Sequence, residues 1–224
     1  MAVRHVLRLA GWCTLCVAAP VVARTVMARN GVSTGIAIAV AATGALVVWL
    51  PRAAHGAFEA GRFARARRRY RLLAAAAFSP SRERAARLSL TGCDVSLGRI
   101  AGAAAQLAAF GPATPTERVV WLNNRACALL AAAASPAVDA LALADAAVAL
   151  RPDLPAVQHT RALALIALGR TDEAIAVLDA MRAAGELPAS LEALRCRDLA
   201  LCWEQKAHAD YAADYRARAA LHAR

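Results

Sequence analysis

Aromatic residues and lysine are scarce in this sequence. Only 5% of its 224 residues are Phe, Trp or Tyr, and Lys206 is the single lysine, so arginine supplies almost all of the positive charge. No stretch alternates apolar and polar residues over the length of a strand, which argues against a β-sheet protein. Alanine and leucine dominate the hydrophobic residues, and both favour helix. We therefore expect an all-α protein.

Sequence signatures of catalysis are missing as well. There is no glycine-rich phosphate loop, no His-Glu metal-binding motif and no glycine-flanked nucleophilic serine. The five histidines are dispersed along the chain. Cys93, Cys127, Cys196 and Cys202 lack the spacing of metal ligands and are expected to be free, buried thiols. We expect no enzymatic activity, no cofactor and no metal site.

Two apolar runs lie near the N-terminus. The first, 6–23, contains a CxxC pair, Cys13 and Cys16, which suits small residues in a membrane helix better than a redox or metal pair. The second, 31–50, has no charged residue and is long enough to cross a bilayer as a helix. Residues 1–51 are therefore predicted to be a transmembrane helical hairpin. A cleaved signal peptide over residues 1–23 is the alternative.

Positive charge is concentrated in the first half of the chain. Residues 1–111 contain 15 arginines and three acidic residues, a net charge of +12, whereas residues 112–224 contain 12 basic and 13 acidic residues, a net charge of −1. Many of these arginines follow the second apolar run. By the positive-inside rule, they predict that the rest of the chain lies on the cytoplasmic side of a bacterial inner membrane.

Residues 52–78 are predicted to form a basic juxtamembrane helix. Its clustered arginines are candidates for contact with anionic lipid head groups: Arg62, Arg65, Arg67, Arg68, Arg69 and Arg71. A solvated helix face whose arginines only set the topology is an equal alternative. Nucleic-acid binding is not expected, because no aromatic stacking platform accompanies the arginines.

From residue 79 onward, helix-capping signals and paired small residues recur. Thr114 and Glu117 have the spacing of a capping box. Small residues stand twelve positions apart at Ala128 and Ala140, Ala162 and Ala174, Ala200 and Ala212, and more weakly at Gly92 and Ala104. Such residues are needed where two antiparallel helices approach each other closely.

This pattern resembles the tetratricopeptide repeat family, whose repeat of 34 residues is a pair of helices. Ala162, Gly169, Ala174, Leu178 and Pro188 carry the resemblance in its best repeat. The aromatic residue usual early in the first helix is missing. The resemblance implies an α-solenoid over 79–224, with its best repeats at 121–154, 155–188 and 189–222.

The resemblance also implies a groove, lined by the first helix of each pair, that holds protein segments. Groove residues are expected three positions before each small residue, at Ser89, Arg125, His159 and Arg197, with Asn124 alongside. Such a polar, basic groove would suit an acidic segment or a C-terminal carboxylate.

The predicted function is therefore that of a membrane-anchored adaptor or scaffold that binds protein partners at the cytoplasmic face of the inner membrane. The small residues of the second apolar run support an alternative function, because they would let transmembrane helices pack closely. In that alternative, the chain is a structural subunit or assembly factor of a membrane protein complex and contacts it mainly through its spans.

Overall fold

A computed structural model describes residues 43–132 and 137–222 of the chain. Within these ranges the protein is helical and has no strand, which confirms the all-α prediction. A π-helical segment, Ala45–Trp49, precedes the α-helices. These are α1 (Leu50–Glu59), α2 (Phe63–Ala76), α3 (Pro80–Ser96), α4 (Ile100–Ala109), α5 (Pro115–Ala131), α6 (Ala137–Leu150), α7 (Pro155–Ala167), α8 (Thr171–Ala183), α9 (Ala189–Gln205) and α10 (Ala209–His222).

The chain divides into two compact units. The first unit contains the residues up to Ala57 together with Ala64–Leu90. The second unit contains Phe58–Phe63 together with the residues from Thr91 onward. The first unit thus holds most of α1, α2 and α3, and the second unit holds α4 to α10.

In the first unit, α1 and α2 are in contact. Arg69 Nη1 donates a hydrogen bond of 2.5 Å to the carbonyl of Ala53, and Ala54 and Ala66 have no exposed surface. These two alanines are twelve positions apart, the same spacing as in the later pairs. Between the two helices, Gly61 adopts φ +67°, a left-handed conformation that ends a helix readily only at glycine. The single basic helix predicted for 52–78 is therefore divided at this turn.

The predicted location in the inner membrane is wrong. Among residues 43–132 and 137–222, no helix is both long and apolar enough to cross a bilayer. The first predicted span, 6–23, lies outside the described residues, as does most of the second, 31–50. Where the second span was predicted to stop, the chain continues into α1, which carries charged Arg52 and Glu59 and buries Ala54 and Ala57.

Three helix pairs make up most of the second unit. The helices of each pair pack on each other, α5 on α6, α7 on α8 and α9 on α10. At most five residues separate the two helices of a pair, so each pair is antiparallel. The first helices also pack side by side, α5 on α7 and α7 on α9. All the alanines of the three predicted twelve-residue pairs are at most 5% exposed. This is a tetratricopeptide-type arrangement of helix pairs.

The core of the second unit is centred on α7 and α8. Leu165, Leu178 and Leu199 are completely buried, and they belong to a cluster that also takes in residues of α6 and α9. At the start of α5 the predicted N-cap is confirmed, because the backbone N–H of Glu117 donates to Thr114 Oγ1 at 3.1 Å, and the Glu117 carboxylate accepts from the backbone N–H of Ala113 at 2.7 Å. These local signals place the helix ends, and the core leucines then fix how the helices pack.

The weaker small-residue pair differs from its prediction by one position. Ala104 is exposed, whereas Ala103 is completely buried. The turn between α3 and α4 contains Gly98 at φ +71°, and α4 begins only at Ile100. The end of this turn decides where α4 begins, and so it decides which face of α4 is buried. A fixed spacing of twelve residues could not predict that face.

Candidate functional site

The predicted groove residues lie on the first helices of the second unit, and Arg125 of α5 is exposed there. Its guanidinium lies 5.0 Å from the ring centre of Trp121, one turn earlier in α5. The indole N–H of Trp121 donates to the carbonyls of Leu107 and Phe110 at 3.0 and 3.1 Å. The indole is therefore held in place, and it positions an arginine that has no carboxylate partner among the described residues.

Asn124, the neighbour of Arg125, is buried instead. Its side-chain amide donates to Thr91 Oγ1 at 3.0 Å, and a Cβ atom at Gly92 would lie 3.4 Å from its Oδ1. The asparagine thus links α3 to α5 and fills the space that the glycine leaves. It has a structural role and is not available to a partner.

His159 of α7 is also buried. Its Nε2 lies 2.7 Å from Oδ2 of Asp198 in α9, and both side chains are under 10% exposed. A buried carboxylate needs such a partner, because an unpaired charge away from water is costly. The predicted groove histidine therefore joins two repeats to each other.

Arg197, at the corresponding position of α9, is 65% exposed. Its guanidinium is 3.4 Å from Oδ1 of Asp198, the carboxylate that His159 already holds. The remaining predicted position, Ser89, belongs to the first unit, where its hydroxyl donates to the carbonyl of Ala85 at 3.1 Å. Of the four groove residues predicted in the second unit, two are exposed and two are engaged inside the protein.

Contacts between successive repeats define the register of the first helices. Cys127 Sγ of α5 lies 3.3 Å from Thr160 Oγ1 of α7, and the His159–Asp198 contact follows between α7 and α9. Neither Thr160 nor Asp198 was among the predicted groove residues. A usable signal exists, because polar contacts recur at separations near one repeat: 33 residues for Thr91 with Asn124, and 33 again for Cys127 with Thr160.

A second buried polar cluster joins α8 to α9. Arg195 donates through Nε and Nη2 to the two carboxylate oxygens of Glu192, at 2.8 Å each, and through Nη1 to the carbonyl of Leu178 at 3.2 Å. The hydrogen bonds from Arg195 hold the pKa of Glu192 below its usual value. The sequence shows that Glu192 and Arg195 are three positions apart on one helix, but it does not show that both are buried.

No disulfide joins Cys93, Cys127, Cys196 and Cys202, as predicted. Cys93, Cys196 and Cys202 are buried, and Cys127 is half-buried. Burial raises the pKa of Cys202 to about 11, and it also raises the pKa of Cys127. Thiols that stay protonated are poor nucleophiles and poor metal ligands, so these cysteines serve as core residues. The CxxC pair, Cys13 and Cys16, lies outside the described residues.

The arginines predicted to contact lipid belong to α2 and the turn before it. Arg69 is engaged with α1 and lies 5.8 Å from the ring centre of Trp49, and Arg67 is half-buried. The other four are exposed: Arg62, Arg65, Arg68 and Arg71. Lipid contact at these residues stays a prediction from the sequence.

Comparisons with other proteins give little further information. No protein-family model and no curated protein matches the sequence. Two solved structures are similar to 78% of the chain. MamA MSR-1 C2 is 18% identical, with 95% of that chain covered and a TM-score of 0.44. MamA AMB-1 P212121 is 20% identical, with 98% of that chain covered and a TM-score of 0.45. The likeness is too weak to support an inference about function.

Proposed function

We propose that the protein is an adaptor whose second unit binds a segment of a partner protein on the exposed face of α5, α7 and α9, called here the first-helix face. The observation that carries this proposal is the state of Arg125. It is held over a fixed indole ring, reaches solvent and has no acidic partner among the described residues. Several other exposed arginines of this unit are paired with carboxylates, as in Arg161 with Asp145 and Arg170 with Glu173.

The chemistry of the face favours a partner with carboxylates. Arg125 and Arg197 lie on the two outer helices of the three, and arginine binds carboxylates through paired hydrogen bonds. Because Asn124 and His159 are used inside the protein, the face offers two arginines and no cluster of four polar groups. An acidic segment, which can contact separate arginines, therefore fits the face better than a single terminal carboxylate.

The experiment is site-specific photo-crosslinking in cells that produce the full chain. We expect one protein to crosslink from the position of Arg197 and not from Val138, which is 63% exposed on α6. Arg125→Glu combined with Arg197→Glu should abolish crosslinking from a photo-reactive residue at Thr116, an exposed position at the start of α5, at an unchanged melting temperature.

The matched control is Arg68→Glu combined with Arg99→Glu, which makes the same change of charge in α2 and in the turn before α4. It should leave crosslinking as in the wild type. Crosslinking that survives the double reversal on the first-helix face, or that is equally strong from Val138, would show that this face does not bind the partner.

A further inference from the structure

A strip of leucines crosses the first-helix face. Leu129, Leu163 and Leu201 stand in α5, α7 and α9, each four positions after Arg125, His159 or Arg197. Residues four apart share one side of a helix, so each leucine lies one turn beyond a predicted groove position. Each leucine directly follows the first alanine of a twelve-residue pair, so all three occupy the same position in their repeats.

The contacts between the first helices bring these leucines to one level. Leu163 is three residues after Thr160, which contacts Cys127, and Leu201 is three residues after Asp198, which contacts His159. On the partner helices, Leu129 is two residues after Cys127 and Leu163 is four residues after His159, so the steps beyond each contact differ by one residue, or about 1.5 Å along a helix axis. Because first helices of successive repeats run in the same direction, such nearly equal steps keep the side chains nearly level. The three leucines therefore form one strip across α5, α7 and α9.

The leucine strip is partly exposed to solvent, and part of it packs against the core of the unit. Leu201 is 42% exposed, and Leu129 and Leu163 are half-buried. Leu129 packs against the buried core of the unit, which holds this part of the strip in place. A fixed apolar surface that still reaches water gains free energy when a partner covers it.

Both ends of the strip carry positive charge. Arg125 precedes Leu129 by one turn at one end, and Arg197 precedes Leu201 by one turn at the other. Neither guanidinium has a carboxylate to itself, since Arg197 reaches only an Asp198 that is already held by His159. The face thus combines an apolar centre with two guanidinium groups: that of Arg125 has no carboxylate partner among the described residues, and that of Arg197 shares Asp198 with His159.

We infer that the partner segment is amphipathic and acidic: its apolar side chains cover the leucine strip, and its carboxylates meet Arg125 and Arg197. This inference rests on the proposed function, and it adds that the leucine strip binds apolar side chains of the partner segment. A purely acidic segment would leave the strip in water, and a purely apolar one would bury the guanidinium of Arg125 without a charge partner, which is costly.

The test is selection from a random twelve-residue peptide display library on the immobilised full chain, followed by fluorescence anisotropy with the selected peptides. We expect enriched sequences to combine at least two large apolar residues with Asp or Glu. Leu201→Ser should weaken their binding about tenfold or more, which corresponds to the burial of one leucine side chain. The matched control Leu221→Ser, at a leucine of α10 that is 68% exposed, should change binding less than about twofold.

Other results would overturn the inference. Enriched peptides without apolar residues, peptides with basic residues, or no enrichment at all would each contradict it, as would equal binding to the wild type and Leu201→Ser. If Leu201→Ser has no effect while the double arginine reversal still abolishes crosslinking in cells, the inference fails and the proposed function stands. If neither change matters, both fail.

Discussion

The helix pairs α7–α8 and α9–α10 share one pattern and differ in what surrounds them. Residues 38 positions apart correspond, because Ala162 and Ala174 match Ala200 and Ala212. In α8, Leu178 is completely buried, whereas the corresponding residue of α10, Arg216, is 58% exposed and pairs with Glu204. In the first helices, buried His159 corresponds to exposed Arg197.

The difference between the two pairs follows from their neighbours. The pair α7–α8 lies between α5–α6 on one side and α9 on the other, so neighbouring helices cover it on two sides. In the pair α9–α10, the side away from α7 and α8 carries charged residues that interact with one another, such as Arg218 with Asp214 at 2.7 Å. A repeat pattern therefore defines a helix pair, and its neighbours decide which positions become core.

The largest effect should come from the core leucine of α8. Leu178→Ala removes a completely buried side chain and leaves a cavity, so we expect the free energy of unfolding to fall by about 4 kcal/mol. Arg216→Ala, at the corresponding position of α10, should cost less than about 1 kcal/mol, since exposed ion pairs contribute little. Urea unfolding followed by circular dichroism measures both values. Equal losses would mean that the two pairs are not packed differently.

The second largest effect should come from the contact between the two pairs. His159→Ala leaves the Asp198 carboxylate buried without its nearest partner, and we expect a loss of about 3 kcal/mol. Arg197→Ala, which changes the corresponding exposed residue, should stay within about 0.5 kcal/mol of the wild type. A double-mutant cycle with Asp198→Asn isolates the coupling. A coupling energy near zero would show that the contact between His159 and Asp198 does not stabilise the packing of the two repeats.

A smaller effect, with a pH dependence, is expected at the buried ion pair of α9. Glu192→Gln leaves the guanidinium of Arg195 with only the carboxylate of Asp179, 3.6 Å away, as a charge partner and should cost about 2 kcal/mol near neutral pH. Since the pKa of Glu192 is lower in the folded protein than in the unfolded chain, its stabilisation is complete above the unfolded pKa of about 4.3 and is lost as the pH falls through the folded value. The difference between variant and wild type should therefore shrink in acid.

The control for this pH experiment is Glu204→Gln, at the exposed pair with Arg216. It should cost less than about 1 kcal/mol. Stability curves measured by urea unfolding from pH 7 down to pH 3 test both expectations. A difference for Glu192→Gln that stays constant over this range would contradict the depressed pKa of Glu192.

The smallest effects should come from the turns that join the helices. Gly169 and Ala207 occupy corresponding positions with φ of +70° and +61°, a region that glycine adopts more easily than alanine. Gly169→Ala should destabilise the protein by about 1 kcal/mol, and Ala207→Gly should stabilise it by a similar amount. Thermal unfolding of the two variants would show shifts of opposite sign. Shifts of the same sign would mean that the turns are not equivalent.

The helix ends and the helix pairs could be predicted from the sequence because their signals are local. The capping box at Thr114 and the alanines at spacings of twelve depend only on residues within one helix pair. The pair Ala54 and Ala66 has the same spacing, but it was missed because residues 52–78 were predicted to form a single helix, in which two such residues cannot face each other across a helix pair.

The candidate site was only partly predictable. Of the residues chosen by spacing, Arg125 and Arg197 are exposed, but the spacing could not show that Asn124 and His159 are engaged by Thr91 and by Asp198. Both contacts join residues more than 30 positions apart, so they depend on how one repeat is rotated against the next. The leucine strip has the same origin, since a leucine one turn after a groove position becomes part of a surface only when three helices lie side by side.

The sequence by itself thus determined an all-helical chain built of paired helices, with small residues at the crossings and glycine or alanine at the turns. These features follow from local propensity, capping and close approach. Only the tertiary structure decided which member of a repeated position is core and which is surface, as with Leu178 and Arg216. The physical reason is that burial depends on neighbours on both sides, and those neighbours come from other repeats.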